Sequence, residues 1–442
     1  MSLRPLLSAL VTWEWLLLVA ILPFAATGSP RFAPVLLLIP LLWLARRAAC
    51  GHFVPPTPLD WSVFLLLLMV LVSLYATFDI AFSYAKIAGM VYGVAVFYGA
   101  AAAAGRSARA LWLGVGLLLA SGWGVVGLGV LGVTWSRKVP LLGPLTARLP
   151  QRILSLPGRD AGFNPNEIAG VLLWMVPVAL VLLAALLRRR RDLAGRLPRW
   201  QATVVFAGLP LTALTLTTML LLTQSRAAWL GSAVAVAFVL LVVAGRYRRP
   251  LLLLLLVLLV AAAAAVYTAG VEQTVDLLLA QVGAATAEGS SALNTLAGRQ
   301  EMWTRALYGI QDFPFTGMGM NNFRRVVHVL YPLFLISPDT DIAHAHNHLL
   351  QTALDLGIPG LIAYLAIWIG AGAILWQSWQ LTTSPWRRAL ALGFAASLLG
   401  YFVYGLLDAV ALGARPGFIF WLLLGLIVAL SRRPAPAGAQ LN

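Results

Sequence analysis

Ala343–Gly360 reads AHAHNHLLQTALDLGIPG, and the kind of molecule this chain makes follows from it. Three of the five histidines, His344, His346 and His348, fall within five residues. They close a long polar segment and run straight into an apolar stretch of membrane length, 358–378. Around them, 61% of the 442 residues are hydrophobic, only 10% are charged, and mean hydropathy is +0.88. Repeated apolar runs of about 18 residues or more mean a polytopic helical membrane protein. The net charge of +16 would suit a nucleic-acid binder. The arginines, however, are divided among short loops between apolar runs, as topology signals are, so no nucleic-acid partner is expected. The single cysteine, Cys50, excludes an internal disulfide.

Apolar runs fall near 6–26, 33–45, 61–78, 87–104, 110–135, 166–187, 201–223, 227–245, 251–269, 358–378, 389–407 and 416–430. This predicts an all-α integral membrane protein of about 12 transmembrane helices, a single membrane domain over 1–442. With the N-terminus cytoplasmic, 18 of the 31 basic residues collect in the inner segments. They include Arg46/Arg47, Arg106/Arg109, Arg188 to Arg191, Arg387/Arg388 and Arg432/Arg433, and only Asp60 and Asp192 are acids there. Both termini are therefore expected inside. A cleaved signal peptide ending near FAATGSP is the alternative for the first run; Trp13 and Glu14 favour a retained helix whose Glu14 faces other helices or the interface.

Two long segments are then left on the outer face: a loop at 136–165 and a larger insertion at 270–347. The first holds Arg137, Lys138, Arg148, Arg152 and Arg159 before GRDAGFNPNEIAG. The second opens on VEQTVDLLLAQV, with the spacing of a surface-lying helix, and breaks at 289–291. NTLAGRQEMWTRALYGIQDFP then carries a helical stripe ended by Pro314. This insertion reads as a folded helical cap rather than a connector.

A helix capped by Thr340 or Asp341 and starting near Ile342 would put His344 and His348 on one face at i, i+4 and His346 on the other, with Gly357 and Pro359 ending it. That pair permits zinc if Asp341, Asp339 or His328 adds a ligand. Histidines bonded to backbone at the interface are the plain alternative. A histidine accepting a proton fits best, because its unperturbed pKa lies near working pH. Arg226, in TQSRAAWLG, sits at the outer edge between two runs, where positive charge opposes the inside rule; Arg299 begins the polar face of the cap helix. Guanidinium groups there offer bidentate bonds to a lipid phosphate or diphosphate, against snorkelling or acidic pairing as the ordinary uses. Asn164, Asn166 and Glu167, and Asp408 near the end of another span, are weaker candidates that read first as caps or loop-fixing groups.

These residues resemble the O-antigen ligases and related O-antigen polymerases of bacterial envelopes. His346-Asn347, nine residues, then Gly357 and Gly360 match the ligase histidine motif; Arg226-Ala-Ala-Trp-Leu230 matches its Arg-x-x-x-Leu element. GRQEMW and PFTGMGMNNF look like its large outer loop, so the resemblance covers roughly 160–380. It implies a metal-independent glycosyltransferase working outside the cytoplasmic membrane. The donor would be a glycan on undecaprenyl diphosphate, the acceptor a glycolipid such as lipid A core (ligase) or another lipid-linked glycan (polymerase). By position, His346 would be the base, and Arg226 and Arg299 would hold the diphosphate. Asn347 would shape the helix start or orient a sugar. No cofactor and no nucleotide sugar are expected: no DxD-type acidic pair is placed for a metal, and there is no glycine-rich phosphate loop. A lipid-linked glycan transporter is the other class, but it would carry internal repeats and midplane charges, whereas here the ionisable residues gather at one face.

Overall fold

The computed structural model describes residues 7, 10–11, 14–27, 29–135, 139, 142–153, 163–195, 198–258, 260–261, 264 and 296–432. The expectations for Arg137, Lys138, Arg159, the surface helix at 271–282, the break at 289–291 and the tail beyond Arg432 lie outside the described residues. Thirteen helices of eight residues or more concern the site: α1 (Glu14–Thr27), α2 (Ala33–Cys50), α3 (Asp60–Ala76), α4 (Ile80–Ala104), α5 (Ala108–Gly132), α6 (Pro165–Arg188), α7 (Arg199–Leu222), α8 (Arg226–Val243), α9 (Leu296–Asp312), α10 (Phe323–Leu330), α11 (His348–Leu381), α12 (Pro385–Gly405) and α13 (Phe418–Ser431). Among the described residues there is no strand, only an isolated bridge from Val133 to Phe163 that closes the base of the 136–165 loop.

The protein is an all-α membrane protein. Among the described residues eight helices are long and apolar enough to cross a bilayer: α2, α4 to α8, α11 and α12. α3 and α13 are apolar but shorter. The expected count of twelve is not reached among these residues: α3 and α13 are short, and the runs at 6–26 and 251–269 are described only in part.

The ends of the helices sort by charge. Arg432 donates to Ala101 O (3.2 Å) and Pro56 O (2.9 Å), and Arg387 to Leu430 O, which gathers the ends of α4 and α13 and the starts of α3 and α12. At this end α1 is tied to α2 by a buried ion pair between Glu14 and Arg46, so Glu14 does face another helix. A pair removed from water holds only because each charge finds the other. The opposite end carries the polar contacts of the histidine segment. There Tyr404 donates to Asn166 O (2.9 Å) and Asn347 Nδ2 to Leu406 O (3.1 Å).

The core is built by helices crossing at small residues. α8 meets α12 where a Cβ on Gly231 would lie 2.3 Å from Gly400 O, a backbone approach that no side chain permits. Above the core, residues 296–347 form a lobe with its own apolar cluster, including Met302, Met318, Phe323, Val327 and Ile342. α11 fixes where the lobe attaches. Gly357 breaks the helix with φ +70° and ψ −179°, and helical geometry resumes beyond Pro359. The bonds released by the break go to the lobe: Met318 N donates to Leu354 O (2.7 Å) and Ile358 N to Pro314 O (2.7 Å). Gly357 was expected to end a helix; it kinks one instead, because the lobe supplies partners for the freed backbone.

Candidate active site

The expected helix from Ile342 does not form. Residues 341–347 are irregular, and α11 starts at His348. Asn347, not Thr340 or Asp341, is the cap: its Oδ1 accepts from Leu349 N (2.9 Å) and Leu350 N (3.1 Å). Asn in that position satisfies two of the helix's free N–H groups, so the helix begins there. Asp341 is taken by Arg324 instead, and His328 Nε2 lies 2.8 Å from Thr340 O. The predicted i, i+4 face of His344 and His348 is therefore wrong.

The correction rearranges the histidines. His344 and His346 lie together, ring centroids 4.3 Å apart. His348 turns into the membrane core, where Nδ1 lies 2.9 Å from Tyr364 Oη and the ring packs among Tyr364, Trp368, Tyr401 and Phe402. It is a core histidine. His346 holds φ +48°, a left-handed conformation that histidine adopts more readily than most residues but still at some cost. The flanks hold it there. Trp303 Nε1 donates to Ala345 O (3.0 Å), and Ala345 N to Gln351 Oε1 (2.8 Å).

The acid of the site comes from 62 residues downstream, in the turn after α12. His346 Nδ1 lies 3.1 Å from Asp408 Oδ1, which also accepts from Ala409 N (2.8 Å). Burial by itself would raise the Asp408 carboxyl. The charge of His346 and its hydrogen bond, then His344 and Arg299, outweigh that and hold it below the usual carboxylate range. An ionised Asp408 accepts a hydrogen bond from Nδ1–H of His346 and leaves Nε2 as the acceptor. His344 is different: its Nδ1 already accepts from His346 N (3.2 Å), so its own proton sits on Nε2, 3.9 Å from Asp408 Oδ1. Burial first, then the neighbouring His346, depresses it to about 3 against the pull of Asp408, with Lys86 and Arg299 adding to the depression. The two rings are thus unequal, one oriented to accept a proton and one held neutral.

Arg299 enters from α9, donating Nη1 to Leu407 O (2.6 Å) beside Asp408, while its Nε is buried without a hydrogen-bond partner among the described residues. Asp408 Oδ2 and Lys86 Nζ are buried and unpaired in the same way. Lys86 is 3.9 Å from Asp355 Oδ2, too far for a hydrogen bond, and Asp355 Oδ1 is held by Gln351 Nε2 (2.9 Å) and Asn321 N (3.1 Å). A buried charged atom without a hydrogen bond is costly, so Arg299 Nε and Lys86 Nζ are points where an anionic or polar ligand would be favoured. Sequence reasoning missed Lys86, Asp355 and Gln351. The signal was present: Lys86 is one of two lysines in the chain and sits within the apolar stretch SYAKIAGMV.

Arg226 is exposed at the first position of α8. Asn164 is a helix cap, its Oδ1 accepting from Asn166 N (2.8 Å), and Asn166 contributes its backbone carbonyl to Tyr404. His344, His346 and Asp408 also form a set whose ligand atoms lie within 4.8 Å of one another and could hold a metal ion.

Residues 211–365 match the family model described as O-antigen ligase, a segment that takes in Arg226, α9, the lobe and the histidines. Over this segment the chain is similar to the O-antigen ligase family. No curated protein matches it. The O-antigen ligase family comprises lipid-linked glycan ligases and polymerases. The match supports a glycosyltransferase of that general type, with a lipid-linked glycan as the kind of substrate. Asp408 lies outside the matched segment, so the turn after α12 completes a site whose other members are inside it or, for Lys86, well before it.

Proposed function

We propose that this chain moves a glycan from undecaprenyl diphosphate onto a sugar hydroxyl of lipid A core, on the outer face of the bacterial cytoplasmic membrane. His346 Nε2 takes the proton of the attacking hydroxyl while Asp408 fixes the ring and balances the imidazolium that forms. Attack at the anomeric carbon breaks its bond to the diphosphate, and the leaving anion gains negative charge. Arg299, with its unpaired Nε, meets that charge, and Arg226 at the mouth of α8 holds the distal phosphate. The mechanism needs no metal. The observation that carries the reading is the 3.1 Å approach of Asp408 to His346 beside Arg299, whose Nε has no hydrogen-bond partner among the described residues.

The test is transfer by purified protein from a lipid-diphosphate glycan. His346→Ala should lower the rate by about 10² to 10⁴ with insertion and folding unchanged, and Arg299→Lys should not rescue Arg299→Ala. Near-normal turnover in Arg299→Lys would remove the diphosphate clamp. A polymerase with the same donor is the alternative, and it would yield a ladder of lengthening lipid-linked products where a ligase yields single additions to the core. The three ligand atoms within 4.8 Å favour one further reading, a metal-assisted transfer. Loss of activity with chelator and recovery with zinc would establish it in place of the base mechanism.

A further inference from the structure

The lobe holds apolar side chains outward with a polar clamp. Between α10 and His344 the chain turns at Tyr331–Ile336. Glu301 on α9 accepts from Phe334 N (2.6 Å) and Leu335 N (2.9 Å). Arg305, one turn on, donates Nε to Pro332 O (2.8 Å) and lies 3.7 Å from Glu301. Tyr331, Leu333 and Ile336 enter the lobe's core; Phe334 and Leu335 are 83% and 56% exposed. Val329 and Leu330, at the end of α10, are 76% and 51% exposed. A turn pinned by three bonds presents these residues by construction.

The same surface runs into the lipid-facing band of the helices. Arg325 and Val329 share a face of α10 at i, i+4, and the Arg325 guanidinium lies 4.2 Å from the Phe82 ring centre, at the start of α4. Asn322 Nδ2 approaches Ser83 Oγ (3.4 Å), so the lobe sits on the ends of α3 and α4. At that junction Phe78 and Ile80 are themselves 78% and 61% exposed. α3 ends and α4 begins here, so this level is the edge of the apolar bundle. We propose that Val329, Leu330, Phe334 and Leu335 dock the lobe into the bilayer surface on the histidine-bearing side. Arg305, 5.5 Å from the Phe334 ring, and Arg325 stand at the phosphate level. The contact would fix the height of His346 and Asp408 above the lipid, independently of which glycan is moved.

The test uses full-length protein in proteoliposomes with Cys50→Ser, carrying Phe334→Cys or, as a second position, Val329→Cys, each labelled with an environment-sensitive fluorophore. Asp339→Cys, exposed in the same lobe, is the water-facing control. The expected result is blue-shifted emission at 334 and 329, quenching by lipids bearing a nitroxide near the headgroup, and loss of the iodide quenching seen at 339. Iodide quenching at 334 and 329 equal to that at 339 would overturn the proposal. Protection from both quenchers would overturn it too, because it would mean a second copy of the protein covers the surface.

Discussion

At the scale of single residues, the division of labour between two adjacent histidines is the site's main feature. Their rings nearly touch, yet one has its Nδ1 bonded to a backbone N–H and the other to a carboxylate. Since His344 is held at about 3, the folded protein declines a proton that the unfolded chain accepts at about 6.5. Stability from this group is therefore complete above about pH 6.5 and falls as pH drops towards its folded value. Asp408, lowered in the fold, adds loss only below the ordinary carboxylate range. The apparent melting midpoint of wild type should fall between about pH 7 and pH 5, and His344→Gln should flatten that slope. An unchanged slope in His344→Gln would show that the acid sensitivity arises elsewhere. Asp408→Asn should slow transfer almost as much as His346→Ala, because an amide can leave the ring in the wrong tautomer.

At the scale of elements, the break in α11 does more than bend a helix. A Cβ on Gly357 would lie 2.5 Å from Phe315 O, and its positive φ disfavours any L side chain, so the kink and the seating of the lobe are one feature. Gly357→Ala should cost about 1 to 3 kcal/mol and reduce transfer more than expression, read by melting midpoint and turnover on the same preparation. Retention of both at wild-type values would mean the lobe is seated by its side-chain contacts alone.

At the scale of the whole molecule, charge and chemistry separate to opposite ends of the bundle. Arg46, Arg387 and Arg432 mark one end, and His346, Asp408 and Arg299 the other. The arginine-rich end is expected in the cytoplasm. A cysteine placed at Asp339 should react with a membrane-impermeant maleimide added outside spheroplasts, whereas Cys50, exposed at the arginine end, should react only after lysis. The reverse pattern would invert the topology and with it the proposed compartment.

The sequence by itself determined the helical membrane class and the likeness to O-antigen ligases, and it set the expectations for the sidedness of the arginines and for His346. Those rest on composition, on charge in short loops and on spacing along the chain, all one-dimensional quantities. Its reading of the histidine helix failed by six residues, because capping by Asn347 competes with capping by Thr340 or Asp341 and only the lobe decides between them. Asp408 was named as a minor candidate and Lys86 not at all, since nothing local ties a turn after α12 or the first turns of α4 to residue 346. Their meeting is set by where helices cross and where α11 kinks. Those depend on close packing between segments far apart in the chain, and only the tertiary structure decided them.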